Sequence, residues 1–155
     1  MQPENTHPNR HHPAHGVRPF SARPVIVFLT VCTRHRQPWL ATPENHERIA
    51  SVWRRATAWR VGPYVLMPDH LHLFTAPGDA DVDFERWVKF WKSQFSKMHG
   101  NPQHRWQTDH WDRRLRTNES YNEKAAYMWA NPVRHGLVAR PEDWPYRGEL
   151  FPLEW

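Results

Sequence analysis

The stretch Gly62-Pro-Tyr-Val-Leu-Met-Pro-Asp-His-Leu-His-Leu-Phe74 decides how the rest of the chain must be arranged. Its end alternates polar and apolar residues, His70, Leu71, His72 and Leu73. Alternation of that period is a strand signature in which residues i and i+2 share a face. Both imidazoles therefore emerge on one side, while Leu71 and Leu73 point the other way, toward a core that holds the strand rigid. Pro68-Asp69, set between two apolar runs, predisposes a tight turn. An antiparallel hairpin is expected, Gly62 to Met67 followed by His70 to Ala76, with the histidines on its second strand. Neutral imidazole is the commonest side-chain metal ligand, and two on one strand face can share an ion. Two ordinary strand histidines would give the same short pattern.

Outward from the hairpin, the run from Pro24 to Thr33 is β-branched and almost continuously apolar, as suits an interior strand, and it is expected beside the histidine strand. Its lone cysteine, Cys32, excludes an internal disulfide and reads as a small buried residue. Thr42-Pro43 supplies a cap and a first-turn proline for a helix whose apolar positions are Ile49, Val52, Trp53 and Ala56. After the hairpin, Phe84, Trp87, Val88, Trp91, Phe95 and Met98 mark a long amphipathic helix ending at Gly100, with Arg86, Lys89, Lys92 and Lys97 on its polar face. Trp111, Arg113 and Leu115 alternate with Asp112, Arg114 and Arg116, so this segment reads as extended and carries the densest basic cluster. His110, just before it, reads as a surface residue. Ser120-Tyr-Asn-Glu123 has the form of a capping box, so a further helix is expected to start near Ser120. It should stop near Asn131, because the residue before a proline avoids the helical region. On that helix Tyr127 and Asn131 are i and i+4 and share a face, which brings together a phenol able to attack and an amide oxygen able to bind a cation. Tyr121 is the competing nucleophile, but has no amide four residues on. Glu123 is accounted for by the cap, and Lys124 by exposure. The terminal Trp144-Pro-Tyr146 is expected to wrap the body.

Two of these segments together, Pro68-Asp-His-Leu-His72 and Tyr127-Met-Trp-Ala-Asn-Pro-Val-Arg-His-Gly-Leu-Val138, resemble the single-tyrosine HUH transposases, most closely the REP-associated tyrosine transposases. The resemblance runs from about Pro24 to Tyr146, and the Trp144-Pro145-Tyr146 ending is similar as well. It implies an α/β (α+β) fold of ferredoxin-like HUH nuclease architecture, a mainly antiparallel sheet with helices packed on one side. It implies a divalent ion, Mg²⁺ or Mn²⁺, on His70 and His72, and Tyr127 as the nucleophile toward single-stranded, hairpin-bearing DNA through a 5′-phosphotyrosine intermediate. Asn131 stands where relatives place a third polar ligand. Some relatives carry glutamine there, and the shorter asparagine leaves direct and water-mediated contact both open. Relatives include dimers, which place the tyrosine helix across the partner's histidines, and monomers.

Composition agrees with a nucleic-acid partner without identifying one. The net charge is +5 and the sequence pI about 9.8, mostly from arginine. Such a balance also suits acidic membrane surfaces. Most of the ten tryptophans are expected in the core, Trp53, Trp87 and Trp91 falling on helical apolar stripes, while one or two exposed rings could stack on unpaired bases. Lys89, Lys92, Arg113, Arg114 and Arg116 are the candidate phosphate contacts, each with a solvated-surface role as its alternative. Residues 1–22, rich in proline and histidine, have too few apolar side chains to offset their ordering entropy and are expected to be a disordered tail, with 23–155 as a single domain. No apolar run reaches the roughly 20 residues of a membrane span, so a cytoplasmic, nucleoid-associated location is expected. Three other functions use parts of the same pattern: a catalytically quiet hairpin-binding module, a relaxase or replication-initiation nickase, and a hydrolase with a water nucleophile.

Overall fold

The computed structural model describes residues 25–154. The expectations for the tail, residues 1–22, lie outside these. Strand β1 (Ile26–Cys32) is followed by a 3₁₀ turn (Arg34–Arg36) and helix α1 (Pro43–Arg55). Then come β2 (Trp59–Met67), β3 (His70–Pro77), α2 (Phe84–His99), β4 (Trp111–Leu115), α3 (Asn118–Arg134), a second 3₁₀ turn (Pro141–Asp143) and β5 (Arg147–Glu149). The strands form a five-stranded sheet in the order β4-β1-β3-β2-β5, and every named pairing is antiparallel. The expected hairpin is present, turning at Pro68-Asp69, and β1 lies against the histidine strand with Cys32 opposite His70 and Thr30 opposite His72.

Strand parity divides the side chains into two cores. Val27, Leu29, Val31, Leu71, Leu73 and Leu66 face α1 and α2, which bury Ile49, Val52, Trp53, Trp87, Trp91 and Phe95 against them. These helices form the layer expected on one side of the sheet. The opposite face carries Ile26, Phe28, Val65, Met67 and Phe74, and α3 covers it through Met128 with Tyr121, Ala125 and Trp129. The histidines share this second face with Phe74, so α3 is the element that roofs them.

Local signals explain the helix ends. The Thr42 hydroxyl accepts from the Asn45 amide, with Pro43 in the first turn, as expected. Asp83 caps α2 in the same way through the Arg86 amide, and Gly100 closes it at φ 71°. Met98, at 44% exposed, falls off the buried stripe. Helix α3 departs from expectation at both ends. Its cap is Thr117, whose Oγ1 accepts from Ser120 N at 3.0 Å, so Ser120 is already helical and no capping box forms with Glu123. Threonine and serine are both good caps, and Thr117 takes the role because it is still extended, at φ −139°. At the far end the helix runs through Pro132 to Arg134. The proline's missing donor falls in the last turn, where the backbone closes by His135 N to Asn131 O and Leu137 N to Pro132 O. Asn131 and Pro132 are both buried, so packing overrides the local preference. The C-terminal segment wraps as expected, with Trp144 Nε1 donating to Leu66 O at 2.8 Å and β5 adding to the β2 edge.

Candidate active site

His70 and His72 lie on β3 with their rings 4.9 Å apart, 6% and 5% exposed. Each is oriented through Nδ1. In His70, Nδ1 donates to Asp69 Oδ1 at 2.7 Å, and the other carboxylate oxygen accepts from Arg36 Nε at 3.1 Å. The hydrogen bond from His70, with help from Arg36 and against the opposing effect of burial, holds the Asp69 carboxyl down at about 2. Burial lowers the His70 pKa despite the carboxylate beside it. The pair is therefore a neutral imidazole on an ionised carboxylate, with the Nε2 lone pair of His70 left for a ligand. That atom now meets Asn131 Nδ2 at 3.3 Å.

In His72, Nδ1 pairs with Thr30 Oγ1 at 2.8 Å, and Phe28 stacks on the ring at 5.3 Å. Burial first, then the positive field of His70, Arg134 and Lys124, pushes its pKa well below the ordinary value, so it too is neutral. Its Nε2 is buried and has no hydrogen-bond partner among the described residues. A buried polar atom left without a partner is destabilising, and a neutral imidazole nitrogen in that state is a ligand atom. The donor set therefore fits a cation bound by the two imidazoles.

Helix α3 brings the other chemistry. Lys124, Tyr127, Asn131 and Arg134 recur at helical spacing and form one stripe. Tyr127 is 47% exposed, and its ring centroid is 5.9 Å from that of His72. Arg134, which the sequence reading did not single out, connects the stripe. Its guanidinium lies 4.0 Å from the Tyr127 ring centroid, and Nη2 donates to Tyr127 O at 3.1 Å and Asn131 Oδ1 at 3.2 Å. A second arginine-to-aromatic contact, Arg147 over Trp129, lies elsewhere on the helix. Lys124 is half-buried, 5.8 Å over the Phe28 ring, and its pKa is lowered by burial and then by Arg113. Tyr121 packs on Phe74 at 4.5 Å, and burial raises its hydroxyl pKa. Of the two candidate nucleophiles, only Tyr127 stands with the histidines.

The basic candidates separate. Arg113 sits opposite Phe28 in the β1–β4 ladder and so shares the histidine face. Arg114 is opposite Val27 and points to the other face, and Arg116 lies exposed just past the strand. Lys89 is exposed on α2, in the layer across the sheet. Lys92, on the same helix, is half-buried and donates to Gln107 O at 2.9 Å. His110 corrects the surface expectation. It is 6% exposed, with Nε2 3.2 Å from Glu85 and 3.3 Å from Asp112. Those carboxylates raise its pKa, although burial opposes the shift. The three residues form a group able to hold a metal, but Asp112 pairs with Leu29 and so faces the α1/α2 side, away from His70 and His72. Lone histidine spacing carries no signal of such burial.

Among the described residues, no helix is long and apolar enough to cross a membrane. No family model matches the chain. The chain is 31% identical over 140 residues to the REP-associated tyrosine transposase of Escherichia coli (strain K12), covering 83% of this chain and 82% of that one. A Haemophilus influenzae protein provisionally given the same name is 26% identical over 110 residues, 58% of this chain and 62% of its own. A solved structure of a REP-associated tyrosine transposase bound to a REP hairpin superposes with a TM-score of 0.69 at 28% identity, covering 84% of this chain and 80% of that one. The likeness covers more than four fifths of the chain in both sequence and fold: the chain belongs to the REP-associated tyrosine transposases, a family of single-tyrosine HUH enzymes.

Proposed function

We propose that this protein is a divalent-cation-dependent transesterase that cleaves and rejoins single-stranded DNA beside hairpin-bearing repeats, with Tyr127 as nucleophile. One observation carries the reading: the buried, unpartnered Nε2 of His72 sits in a group with His70 and Asn131 that has an exposed tyrosine at its edge. His70 and His72 would hold Mg²⁺ or Mn²⁺ through Nε2, and Asn131 would contribute its amide oxygen directly or through water. When bound, such an ion polarises the phosphate and stabilises charge on its oxygens.

The chain's own groups account for the rest. Asp69 and Thr30 hold each imidazole by Nδ1, so the ligand nitrogens cannot turn away. Arg134 fixes the Tyr127 backbone and sets a positive charge against the ring from which the attacking oxygen extends. The phenol gives up its proton as its oxygen bonds to phosphorus, the phosphorus–O3′ bond breaks, and the departing 3′ oxygen takes up a proton. The product is a 5′-phosphotyrosyl strand and a free 3′-OH, and attack by a 3′-OH reverses the step with no external energy. Asn131 Oδ1 is engaged by Arg134 in this structure, so direct ligation through oxygen requires the amide to turn over and release the arginine. Arg113 and Lys124, on the histidine face, would contact backbone phosphates. Because Tyr127 and His72 approach within one chain, the reading favours a site completed without a partner subunit.

The test is incubation with labelled single-stranded oligonucleotides bearing a hairpin, with Mg²⁺ or Mn²⁺, followed by denaturing electrophoresis. An adduct that survives denaturation and disappears in Tyr127→Phe is expected. Cleavage persisting in that variant would mean a water nucleophile, and hairpin binding without cleavage a quiet module; either result overturns the reading.

A further inference from the structure

Among the described residues, only His35 and Arg36 adopt positive φ without being glycine, at 57° and 54°. Two successive left-handed residues crowd Cβ against the backbone, and such strain persists only where surrounding structure enforces it. The enforcement is visible. Thr33, fully buried, donates its amide to Asp69 O at 3.0 Å, and its hydroxyl lies between Gln37 O at 2.8 Å and Asp69 O at 3.1 Å. The turn closes by Arg36 N to Thr33 O at 3.1 Å, and Arg34 N donates to Arg105 O at 2.8 Å. The 3₁₀ turn is thus fastened to the corner that begins the histidine strand.

The consequence is where Arg36 ends up. Its Nε donates to Asp69 Oδ2, and Nη2 lies 3.4 Å from His70 Nδ1. Asp69 lies on a corner, partly open to water, and nothing in its own turn would keep the carboxylate against the neighbouring ring. With Arg36 on one oxygen and the imidazole on the other, the carboxylate is held between two fixed donors. The planar guanidinium fork is suited to that task, which an ammonium performs less well.

We infer that the Arg34–Arg36 turn is a positioning device for the cation site: its left-handed His35-Arg36 pair aims Arg36 at Asp69, which then keeps the proton of His70 on Nδ1 and its Nε2 lone pair directed at the bound divalent cation. Arg36 touches neither cation nor DNA in this role; it acts through Asp69. The inference rests on the cation reading above, but its first readout does not. In metal-free protein, ¹⁵N spectra of the histidine rings should show His70 as the Nδ1–H form. Arg36→Gln should shift it toward a mixture of tautomers, as should Asp69→Asn, while His72 keeps its own pattern. Mn²⁺ titration of the full-length protein without DNA, followed by electron paramagnetic resonance, gives the second readout. Arg36→Gln should weaken binding about 10–100-fold, the usual effect of losing an outer partner of a metal ligand. Arg36→Lys, which keeps the charge and so protects folding, should fall between. Unchanged His70 spectra in both Arg36 variants would overturn the inference, as would wild-type Mn²⁺ affinity in both. If the wild-type protein takes up no Mn²⁺, the cation reading fails while the tautomer measurement still decides the role of Arg36.

Discussion

Replacing His72 with phenylalanine separates a site built to hold a cation from a pair of structural histidines. In the metal-free protein Nε2 of His72 is buried without a partner, a state that costs about 1–3 kcal/mol. Phenylalanine removes that atom and keeps the stack on Phe28, where the rings lie 5.3 Å apart at 13°. It also removes the 2.8 Å bond to Thr30, worth about 0.5–1.5 kcal/mol. Thr30 is partly exposed and can turn to water. The difference favours the variant by roughly 1 kcal/mol. Urea melts in the presence of a chelator should therefore show His72→Phe as stable as the parent or slightly more so. Mn²⁺ reverses the order: at a hundredfold excess over its dissociation constant it adds about 2.7 kcal/mol to the parent, and the variant should gain little. A variant that loses several kcal/mol without metal, beside a parent indifferent to Mn²⁺, would refute the reasoning.

Other consequences are as direct. His110 has a raised pKa and is faced by Glu85 from α2, Asp112 from β4 and the Phe84 ring. A raised folded pKa means that its contribution is fully present below the unfolded value of 6.5 and is lost as pH climbs through the folded one. Stability measured from pH 6 upward should fall more steeply in the parent than in His110→Gln, and parallel curves would contradict this. Arg113→Ala should reduce the salt slope of single-stranded DNA binding by about 1, while Lys89→Ala, across the sheet, should leave it unchanged; equal effects would remove the face assignment. Arg134→Lys should lower the rate of adduct formation at least about tenfold, because an ammonium cannot both lie flat on Tyr127 and bond Asn131 and the backbone. A rate within twofold of the parent would mean that Arg134 does not position the nucleophile.

What the sequence disclosed is what local periodicity encodes. The alternation at His70 to Leu73 gave the hairpin and the shared face of the imidazoles, and the i, i+4 spacing of Tyr127 and Asn131 put phenol and amide on one stripe. Both hold because each depends on a single element. The details that eluded reading depend on contacts between distant segments. Thr117 and Ser120 are chemically equal as caps, and the exit of β4 chooses between them. Pro132 is tolerated inside α3 because the residues around it are buried. His110 looks like any polar loop residue until α2 brings Glu85 over it. Arg113, Arg114 and Arg116 read as one basic cluster, yet a pleated strand sends neighbours to opposite faces. Arg36 and Arg134 could not be distinguished from the other arginines, since their roles arise from Asp69 and Tyr127, residues they meet only on folding or through the helix stripe.

The most direct measurement of the central claim is to locate the covalent bond. Protein trapped on a hairpin-bearing single strand is digested with protease and nuclease, and the modified peptide is identified by mass spectrometry. The account predicts a 5′-linked nucleotide on Tyr127, and none on Tyr121, which is packed against Phe74. A nucleotide on Tyr121 or any other residue, or a cleaved strand with no peptide attached, would contradict it.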